Sequence, residues 1–315
     1  MRPACVNKVF DLAKRDPRVV YIGSDLDPPL VRRMQKEMPG RAFMEGVSEQ
    51  HVVGMAAGLA MEGYMPFVHT IATFITRRCY EQVAVDLCLH NLPVRLIGNG
   101  GGLVYAPLGP THLAIEDIAI MRALPNMTVT AVSDAEEMVR LMEATLDWPH
   151  PIYIRLGKGG DPVVSRAENG FEIGKGIVMR RSDARDPVLL ISCGVMTNRA
   201  LLAADLLQQQ GIPAEVIHIH TIKPLDERLI VEHARRARGV FTIEEHTVIG
   251  GLGSAVIDAL VEHIGARMPL VQKLGLADKF AKNYGSQDDL LELSGLQPHQ
   301  IAERIGQVLQ RLRVA

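Results

Sequence analysis

The chain has 315 residues, of which 47% are hydrophobic and 22% charged, as in an ordinary globular protein with room for two domains. Its formal net charge of −2 gives no electrostatic reason to expect nucleic acid or an anionic membrane surface as a partner. No apolar run approaches the length that spans a bilayer, and the first residues do not resemble a signal peptide. We therefore expect a cytoplasmic protein that binds neither nucleic acid nor a membrane.

Cysteines and histidines give no indication of a metal centre. The four cysteines, which are Cys5, Cys79, Cys88 and Cys193, form neither a CxxC pair nor a ligand cluster, so we expect reduced and mostly buried thiols. His218 and His220 alternate along a predicted strand and therefore face the same side, but the sequence offers no third ligand nearby. We predict no metal site in this chain.

Apolar runs of strand length alternate with amphipathic segments of helix length in the first half of the chain. The predicted strands are 19–25, 65–71, 93–99, 127–133 and 151–157. Among the predicted helices, 134–148 begins with Asp134 as its N-cap and has Glu137 three residues later, which is a capping-box arrangement. Unbroken β-branched runs separated by helices are typical of a parallel sheet that is covered on both faces.

The alternation stops between about 158 and 187, where Gly, Pro and charged residues dominate, and it resumes afterwards. The Gly-rich stretch 250–256 lacks the GxGxxG spacing and indicates a tight strand-to-helix turn. We predict an α/β fold with two tandem domains, each a mostly parallel sheet with helices on both faces. The predicted bounds are 1–160 for the first domain, 161–186 for a linker and 187–315 for the second domain.

Two stretches of the first half are candidates for a binding site. The loop "GNGGGLVYAPLGPTH" (98–112) follows a predicted strand and ends in His112, at the edge of the sheet where open α/β proteins bind ligands. "EGVSEQH" (45–51) opens a helix, so Ser48, Glu49 or Gln50 could simply cap it. Alternatively, Glu49 is a buried carboxylate that shares a proton with a ligand nitrogen.

The helix behind Glu49, "VVGMAAGLA" (52–60), is rich in small residues. Such residues allow another helix or chain to approach closely. In a soluble protein this composition indicates a subunit interface. The residues alone leave both readings of Glu49 open, as a helix cap and as a ligand contact.

Five stretches together resemble the thiamine diphosphate enzymes of the transketolase and deoxyxylulose-phosphate synthase group. "GVSEQHVVGMAAGLAMEGYMPFVHTIATFITRRCYEQVAVD" and "GPTHLAIEDIAIMRALPNMTVTAVSDAEE" are similar to the pyrimidine-binding domain of that family. "IKPLD", "TIEEHTVIGGLGSAV" and "GLADKFAKNYGSQDDLLELSGL" are similar to its C-terminal domain. The resemblance covers essentially the whole chain and implies thiamine diphosphate as the cofactor.

The resemblance also implies roles for individual residues. Glu49 matches the family glutamate that hydrogen-bonds the N1′ nitrogen of the cofactor's aminopyrimidine. Phe74 matches an aromatic residue that packs on this ring, and Asp25 matches an aspartate near the cofactor. His112 matches a histidine close to the reacting carbonyl, where it would stabilise charge on the substrate oxygen or move a proton.

Three basic residues are implied as substrate contacts. Arg155 lies where the family places an arginine for a sugar phosphate, and Lys158 and Arg2 are further candidates by position. Plainer roles stay open for three of these residues: Arg155 as half of an ion pair, Phe74 as a core residue and Asp25 as a helix cap.

The departures from the family pattern are also informative. The sequence contains no GDG motif, through which transketolases hold the diphosphate and Mg²⁺. The resemblance therefore implies one subunit of a split enzyme, inactive alone, with a partner chain that binds the diphosphate and Mg²⁺ in an α2β2 assembly.

Four positions in the expected substrate site differ from the family. Leu108 replaces an aspartate that contacts a substrate hydroxyl, and Pro29 replaces a serine that often contacts a phosphate. Asn99 and Gly100 stand where transketolases have a second histidine. Because a hydrophobic side chain cannot accept a hydrogen bond, we expect altered recognition of the ketose.

The function that the resemblance implies is transfer of a two-carbon ketol unit from a ketose to an aldose. Two alternatives stay open: the β subunit of a 2-oxoacid dehydrogenase decarboxylase, and a non-catalytic scaffold of the same fold. The donor sugar could be unusual, with its phosphate held differently or absent.

Overall fold

The computed structural model describes residues 1–24, 26, 28–157 and 159–314. The strands are β1 (Val19–Gly23), β2 (Ala42–Met44), β3 (Met65–Ile71), β4 (Arg95–Asn99), β5 (Thr128–Ala131), β6 (Ile152–Leu156), β7 (Ile177–Arg180), β8 (Val188–Ser192), β9 (Ala214–His218), β10 (Thr221–Lys223), β11 (Gly239–Thr247) and β12 (Leu270–Leu276).

The α-helices are α1 (Arg2–Arg15), α2 (Pro28–Glu37), α3 (Glu49–Met61), α4 (Tyr80–Gln82), α5 (Asp117–Ala123), α6 (Ala135–Ala144), α7 (Met196–Gln209), α8 (Glu227–Ala234), α9 (Leu252–His263), α10 (Gln287–Leu293) and α11 (Pro298–Val314). Two π-helical segments, Phe74–Arg78 and Val83–Leu89, flank α4. Among the described helices, none is long and apolar enough to cross a membrane.

Two sheets organise the chain. Over the described residues, the first sheet has the strand order β10-β5-β6-β4-β3-β1-β2 and the second has the order β12-β11-β8-β9-β7. Neighbouring strands are parallel except at one edge of each sheet, where β10 runs antiparallel to β5 and β7 runs antiparallel to β9. The predicted fold class, two α/β domains with mostly parallel sheets, is confirmed.

The strands at these two edges do not follow the predicted division of the chain. β7 lies inside 161–186, the segment predicted as a linker, yet it pairs with the second sheet. β10 follows β9 in the second half of the chain, yet it pairs with β5 of the first sheet. The two halves are therefore linked through a shared sheet, and the domain bounds at 160 and 186 stay a prediction.

Helices cover both faces of the first sheet because successive side chains of a strand point to opposite faces. Val20 and Ile22 of β1 belong to a buried cluster that includes Val53 of α3. Val19 and Tyr21 of the same strand belong to a second cluster, which includes the buried residues of α1. All four cysteines are buried, as expected from the sequence.

Asp134 joins α6 to the segment that follows β6. Its carboxylate accepts hydrogen bonds from the amides of Glu136 and Glu137, both at 3.0 Å, so the predicted N-cap is confirmed. It also accepts from the amides of Val164 and Ser165, at 2.9 and 2.7 Å. One carboxylate thereby satisfies four backbone donors.

Glu137 differs from the predicted capping box. Its Oε2 accepts from the amide of Ser133 at 2.6 Å rather than from the amide of Asp134, and it lies 2.9 Å from Nε2 of His218 on β9. Burial alone would raise the pKa of Glu137, but His218 and the Ser133 amide outweigh burial and lower it to about 2. This ionised carboxylate therefore connects α6 to the second sheet.

Replacing Asp134 by Ala should lower the free energy of unfolding by about 2–3 kcal/mol, because a helix cap is lost and further amides lose their acceptor. Urea unfolding followed by circular dichroism measures the change. Asp226→Ala is the matched control, since Asp226 also caps a helix but accepts from only two amides, those of Leu229 and Gly176, in the described structure. Equal losses for the two variants would contradict the special role of Asp134.

Candidate functional site

The turn before α3 places Glu49 near the carboxyl end of β3 in the first sheet. Gly46 adopts a φ of +66°, which few residues other than Gly tolerate. Ser48 occupies the N-cap position, and its hydroxyl donates to the carbonyl of Glu45 at 2.8 Å. Glu49 is the first residue of α3 and is only 2% exposed. Glu49 is thus a buried helix residue and does not occupy the cap position.

The Glu49 carboxylate has two side-chain partners. Oε1 accepts a hydrogen bond from the hydroxyl of Thr70, at the carboxyl end of β3, at 3.3 Å. Oε2 accepts from Nη1 of Arg78 at 2.7 Å, and the Arg78 guanidinium lies 4.1 Å from the centre of the Phe74 ring. Glu49 and Phe74, which are 25 positions apart in the sequence, are connected by one cation.

His112 joins this group from the loop after β4. Its ring centre lies 5.2 Å from that of Phe74 in an edge-on arrangement, and 6.5 Å from that of Tyr105. Its Nδ1 lies 2.9 Å from the hydroxyl of Thr111, which orients the imidazole. The structure therefore brings together three predicted residues, Glu49, Phe74 and His112.

The loop that carries His112 is anchored in the second domain. Its residues Leu103, Leu113 and Ile115 are buried in a cluster with residues of the second sheet. The amide of Leu103 donates to Oε1 of Glu245 at 2.7 Å. Gly102 has a φ of +67°, and a Cβ there would lie 2.5 Å from Cδ of Glu245, so only Gly fits. The second domain thus determines where His112 lies.

Arg155 is a buried structural cation in this arrangement. Its Nε donates to Oδ2 of Asp117 at 2.8 Å, and its Nη2 donates to the carbonyls of Ala114 and Glu245 at 3.1 and 2.9 Å. Burial alone lowers the pKa of Arg155, but the charges of Asp117 and Glu245 outweigh burial and raise it. The ion-pair reading of Arg155 describes these contacts, and they do not support the substrate contact that the resemblance implied.

Among the other predicted residues that the structure describes, Arg2 is not part of this group. Arg2 is the first residue of α1, and its charge adds to burial in lowering the pKa of His69 to about 3. His69 and Thr70 are consecutive in β3 and point to opposite faces, so Arg2 lies on the other side of the sheet from Glu49. Asp25 and Lys158 lie outside the described residues.

Sequence reasoning missed Thr70, Arg78 and Tyr105. The hydroxyl of Tyr105 accepts a hydrogen bond from the side-chain amide of Asn99, which differs from the family pattern, and the Tyr105 ring lies beside that of His112. A signal for Arg78 was present, because an aromatic residue and a cation four positions apart on a helix are in contact range. Thr70 had no local signal, since its contact with Glu49 depends on how β3 lies beside α3.

The chemistry of the group suits a flat nitrogen heterocycle. A buried carboxylate can share a proton with a ring nitrogen, Phe74 offers an aromatic face, and His112 offers a group that can move a proton. Within the described ranges, no group of three or more His, Cys, Asp or Glu side chains is arranged to hold a metal ion. The residues present fit the pyrimidine end of thiamine diphosphate.

The position of this group at the carboxyl end of a parallel sheet, beside a second α/β domain, is that of a cofactor-binding domain. Residues 1–160 match the family "Transketolase, pyrimidine binding domain", and residues 176–301 match "Transketolase, C-terminal domain". The chain belongs to the transketolase family, and the resemblance seen in the sequence is confirmed.

Curated and solved relatives agree with this assignment. The chain is 35% identical over 312 residues to the 6-deoxy-6-sulfo-D-fructose transketolase subunit SqwH of Clostridium sp. (strain MSTE9), covering 99% of this chain and 95% of the relative. A solved structure described as a split gene transketolase, inactive beta4 tetramer, has a TM-score of 0.88 and 35% identity, covering 98% of each chain.

The synthase branch of the group is similar over a shorter share of its length. The 1-deoxy-D-xylulose-5-phosphate synthase of Crocosphaera subtropica (strain ATCC 51142 / BH68) is 36% identical over 322 residues, which cover 98% of this chain and 49% of the relative. The chain thus spans about half the length of the synthases that it matches.

Replacing Arg155 by Met should lower the free energy of unfolding by about 3–5 kcal/mol, because Asp117 and Glu245 would be left as buried charges without their cation. Chemical denaturation measures this loss. Arg33→Met, which breaks an exposed pair with Glu37, should cost less than about 1 kcal/mol. If the two variants were equally stable, Arg155 would not be a structural cation and the substrate role would regain support.

Proposed function

We propose that this chain is one subunit of a two-chain transketolase, which transfers a two-carbon ketol unit from a ketose to an aldose with thiamine diphosphate as cofactor. The observation that carries the proposal is the buried carboxylate of Glu49, grouped with Phe74 and His112 beside the second domain. The similarity to a split transketolase subunit over nearly its whole length supports the proposal.

Each residue of the group has a defined task in this proposal. Glu49, held by Thr70, presents its carboxylate to the N1′ nitrogen of the aminopyrimidine, and its burial keeps water from competing. The ring of Phe74 packs on the aminopyrimidine. When bound, thiamine diphosphate supplies the carbon nucleophile and electron sink for the carbon–carbon chemistry.

His112 is the substrate-side group. Its imidazole is partly exposed and is oriented by Thr111, so it can donate a hydrogen bond to the substrate oxygen or move a proton. Leu108, four residues before His112, is 50% exposed and cannot bond a sugar hydroxyl. The donor panel should therefore include 6-deoxy-6-sulfofructose, which the similar subunit's name specifies, beside phosphorylated and unphosphorylated ketoses.

A partner chain would hold the diphosphate and Mg²⁺, in an α2β2 assembly. Support for a contact surface comes from α3, whose Gly54 and Gly58 are exposed. Val47 and Met61, near the two ends of this helix, are 67% and 57% exposed, and Leu89 is 73% exposed. Exposed small and apolar residues on and around one helix are suited to close packing against another chain.

A second candidate is the reaction of the deoxyxylulose-phosphate synthases, which the similar identity to those enzymes favours. It is separated from ketol transfer by supplying pyruvate with an aldose phosphate and measuring carbon dioxide release. The 2-oxoacid dehydrogenase alternative is tested with the same measurement on pyruvate and branched-chain oxoacids. The scaffold alternative predicts no turnover in any assay.

Reconstitution with the diphosphate-binding partner, thiamine diphosphate and Mg²⁺ tests the proposal, and ketol transfer should appear only with both chains. Glu49→Gln should slow cofactor C2 proton exchange by at least about 100-fold, since the carboxylate is lost at constant shape. NMR deuterium exchange measures this. Glu45→Gln, four residues earlier in the partly exposed turn, should exchange like the wild type. Unchanged exchange in Glu49→Gln would refute the role given to Glu49.

Gly58→Glu should weaken association with the partner chain at least about tenfold without unfolding this chain. A Cβ at Gly58 meets nothing within 4 Å, and Glu favours a helix over Gly, so the folded chain tolerates the change. A charge at a close-packed interface opposes association. Analytical ultracentrifugation measures the affinity, with Gly306→Glu on α11 as the control. Equal affinities for the two variants would place the partner elsewhere.

A further inference from the structure

Arg78 contacts both groups that the proposed function reserves for the aminopyrimidine. Its Nη1 donates to Oε2 of Glu49 at 2.7 Å, and its guanidinium lies 4.1 Å over the ring of Phe74. We propose that Arg78 is a displaceable gate, which occupies the place of the aminopyrimidine until the cofactor enters. This inference rests on the proposed function and adds a residue whose movement precedes cofactor binding.

The burial of Glu49 makes the two occupants mutually exclusive. The side chain of Glu49 is only 3% exposed with Arg78 in place, and its other oxygen faces the hydroxyl of Thr70. Solvent therefore hardly reaches the carboxylate, and each of its two oxygens already accepts a hydrogen bond. A ligand that bonds Oε2 must therefore first displace Arg78.

The guanidinium of Arg78 matches the aminopyrimidine in shape and contacts. It is planar, it points N–H groups at a carboxylate, and it stacks on an aromatic face. An aminopyrimidine is also flat, bonds the same carboxylate through a ring nitrogen and would pack on the same Phe74 ring. The cation therefore balances the buried charge of Glu49 and covers the aromatic face while the site awaits its ligand.

Arg78 is the member of the group that can move. Its side chain is 37% exposed, against 3% for Glu49, so the guanidinium can rotate into solvent without burying its charge. Thr70 stays on β3 and continues to hold Glu49. Only molecules in which Arg78 has moved away can bind the ligand, so the apparent affinity is proportional to the fraction of such open molecules. Removal of the gate should therefore strengthen binding.

The first test uses this chain alone and needs no cofactor. Carbodiimide labelling, mapped by mass spectrometry, reports whether reagent reaches Glu49. Glu49 should resist labelling in the wild type and become labelled at least about fivefold faster in Arg78→Ala. Arg77→Ala is the matched control, because Arg77 is the adjacent arginine but pairs with Glu116, and it should behave as the wild type. Equal labelling of wild type and Arg78→Ala would overturn the gate.

The second test measures uptake of radiolabelled thiamine diphosphate by the assembled two-chain protein. Arg78→Ala should take up the cofactor roughly threefold to tenfold faster and bind it more tightly, in line with the strength of a partly exposed ion pair. Arg78→Gln, which keeps a donor but no charge, should show a smaller gain. Slower or weaker binding in Arg78→Ala would overturn the gate, since Arg78 would then hold the cofactor.

Failure of the proposed function would look different. If the wild-type assembly took up no thiamine diphosphate at all, the cofactor proposal would fall. The labelling experiment on the single chain would still decide whether Arg78 closes access to Glu49.

Discussion

The buried ion pair of Arg155 with Asp117 is the interaction on which the arrangement of the site depends. Arg155 comes from the last part of β6, Asp117 begins α5, and the same guanidinium reaches the carbonyl of Glu245 in the second sheet. Further hydrogen bonds offset the desolvation cost of this buried pair, since Oδ2 of Asp117 also accepts from the Tyr153 hydroxyl and Nη2 of Arg155 donates to two carbonyls. One cation thereby holds the first sheet, the loop that carries His112 and the second domain in register.

The residues of the candidate site form two layers on this framework. The inner layer consists of β3, a strand of the first sheet, and α3. Thr70 on β3 hydrogen-bonds the carboxylate of Glu49 on α3, and this contact fixes the orientation of the buried carboxylate. The outer layer, made by Phe74, Arg78 and His112, is partly exposed, and in the proposed function it is the part that meets the ligand. In the proposed function, the buried part would orient the ligand, while the outer part would recognise and admit it.

Local patterns in the sequence predicted the alternation of strands and helices and the cap at Asp134. The roles of Glu49, Phe74 and His112 came from the family resemblance and stay predictions. Local patterns do not indicate contacts between residues that are distant in the sequence. Arg155 looks like a phosphate ligand by position, and only the folded chain shows Asp117 beneath it. No periodicity indicates that a strand from the second half joins the first sheet, since such pairing is decided by the packing of whole domains.

The pairing of β10 with β5 makes the folding of the first half of the chain depend on the second half. β10 caps the edge of β5, and Nζ of Lys223 donates to the carbonyl of Arg122 at 3.0 Å, so the second half shields backbone groups of the first. A fragment that ended in the segment 161–186 would lack β10, so the outer edge of β5 would be left without a partner. Chains aggregate at exposed strand edges of this kind. Fusions and truncations should therefore treat the two domains as one cooperative folding unit, because a strand from the second half completes the sheet of the first.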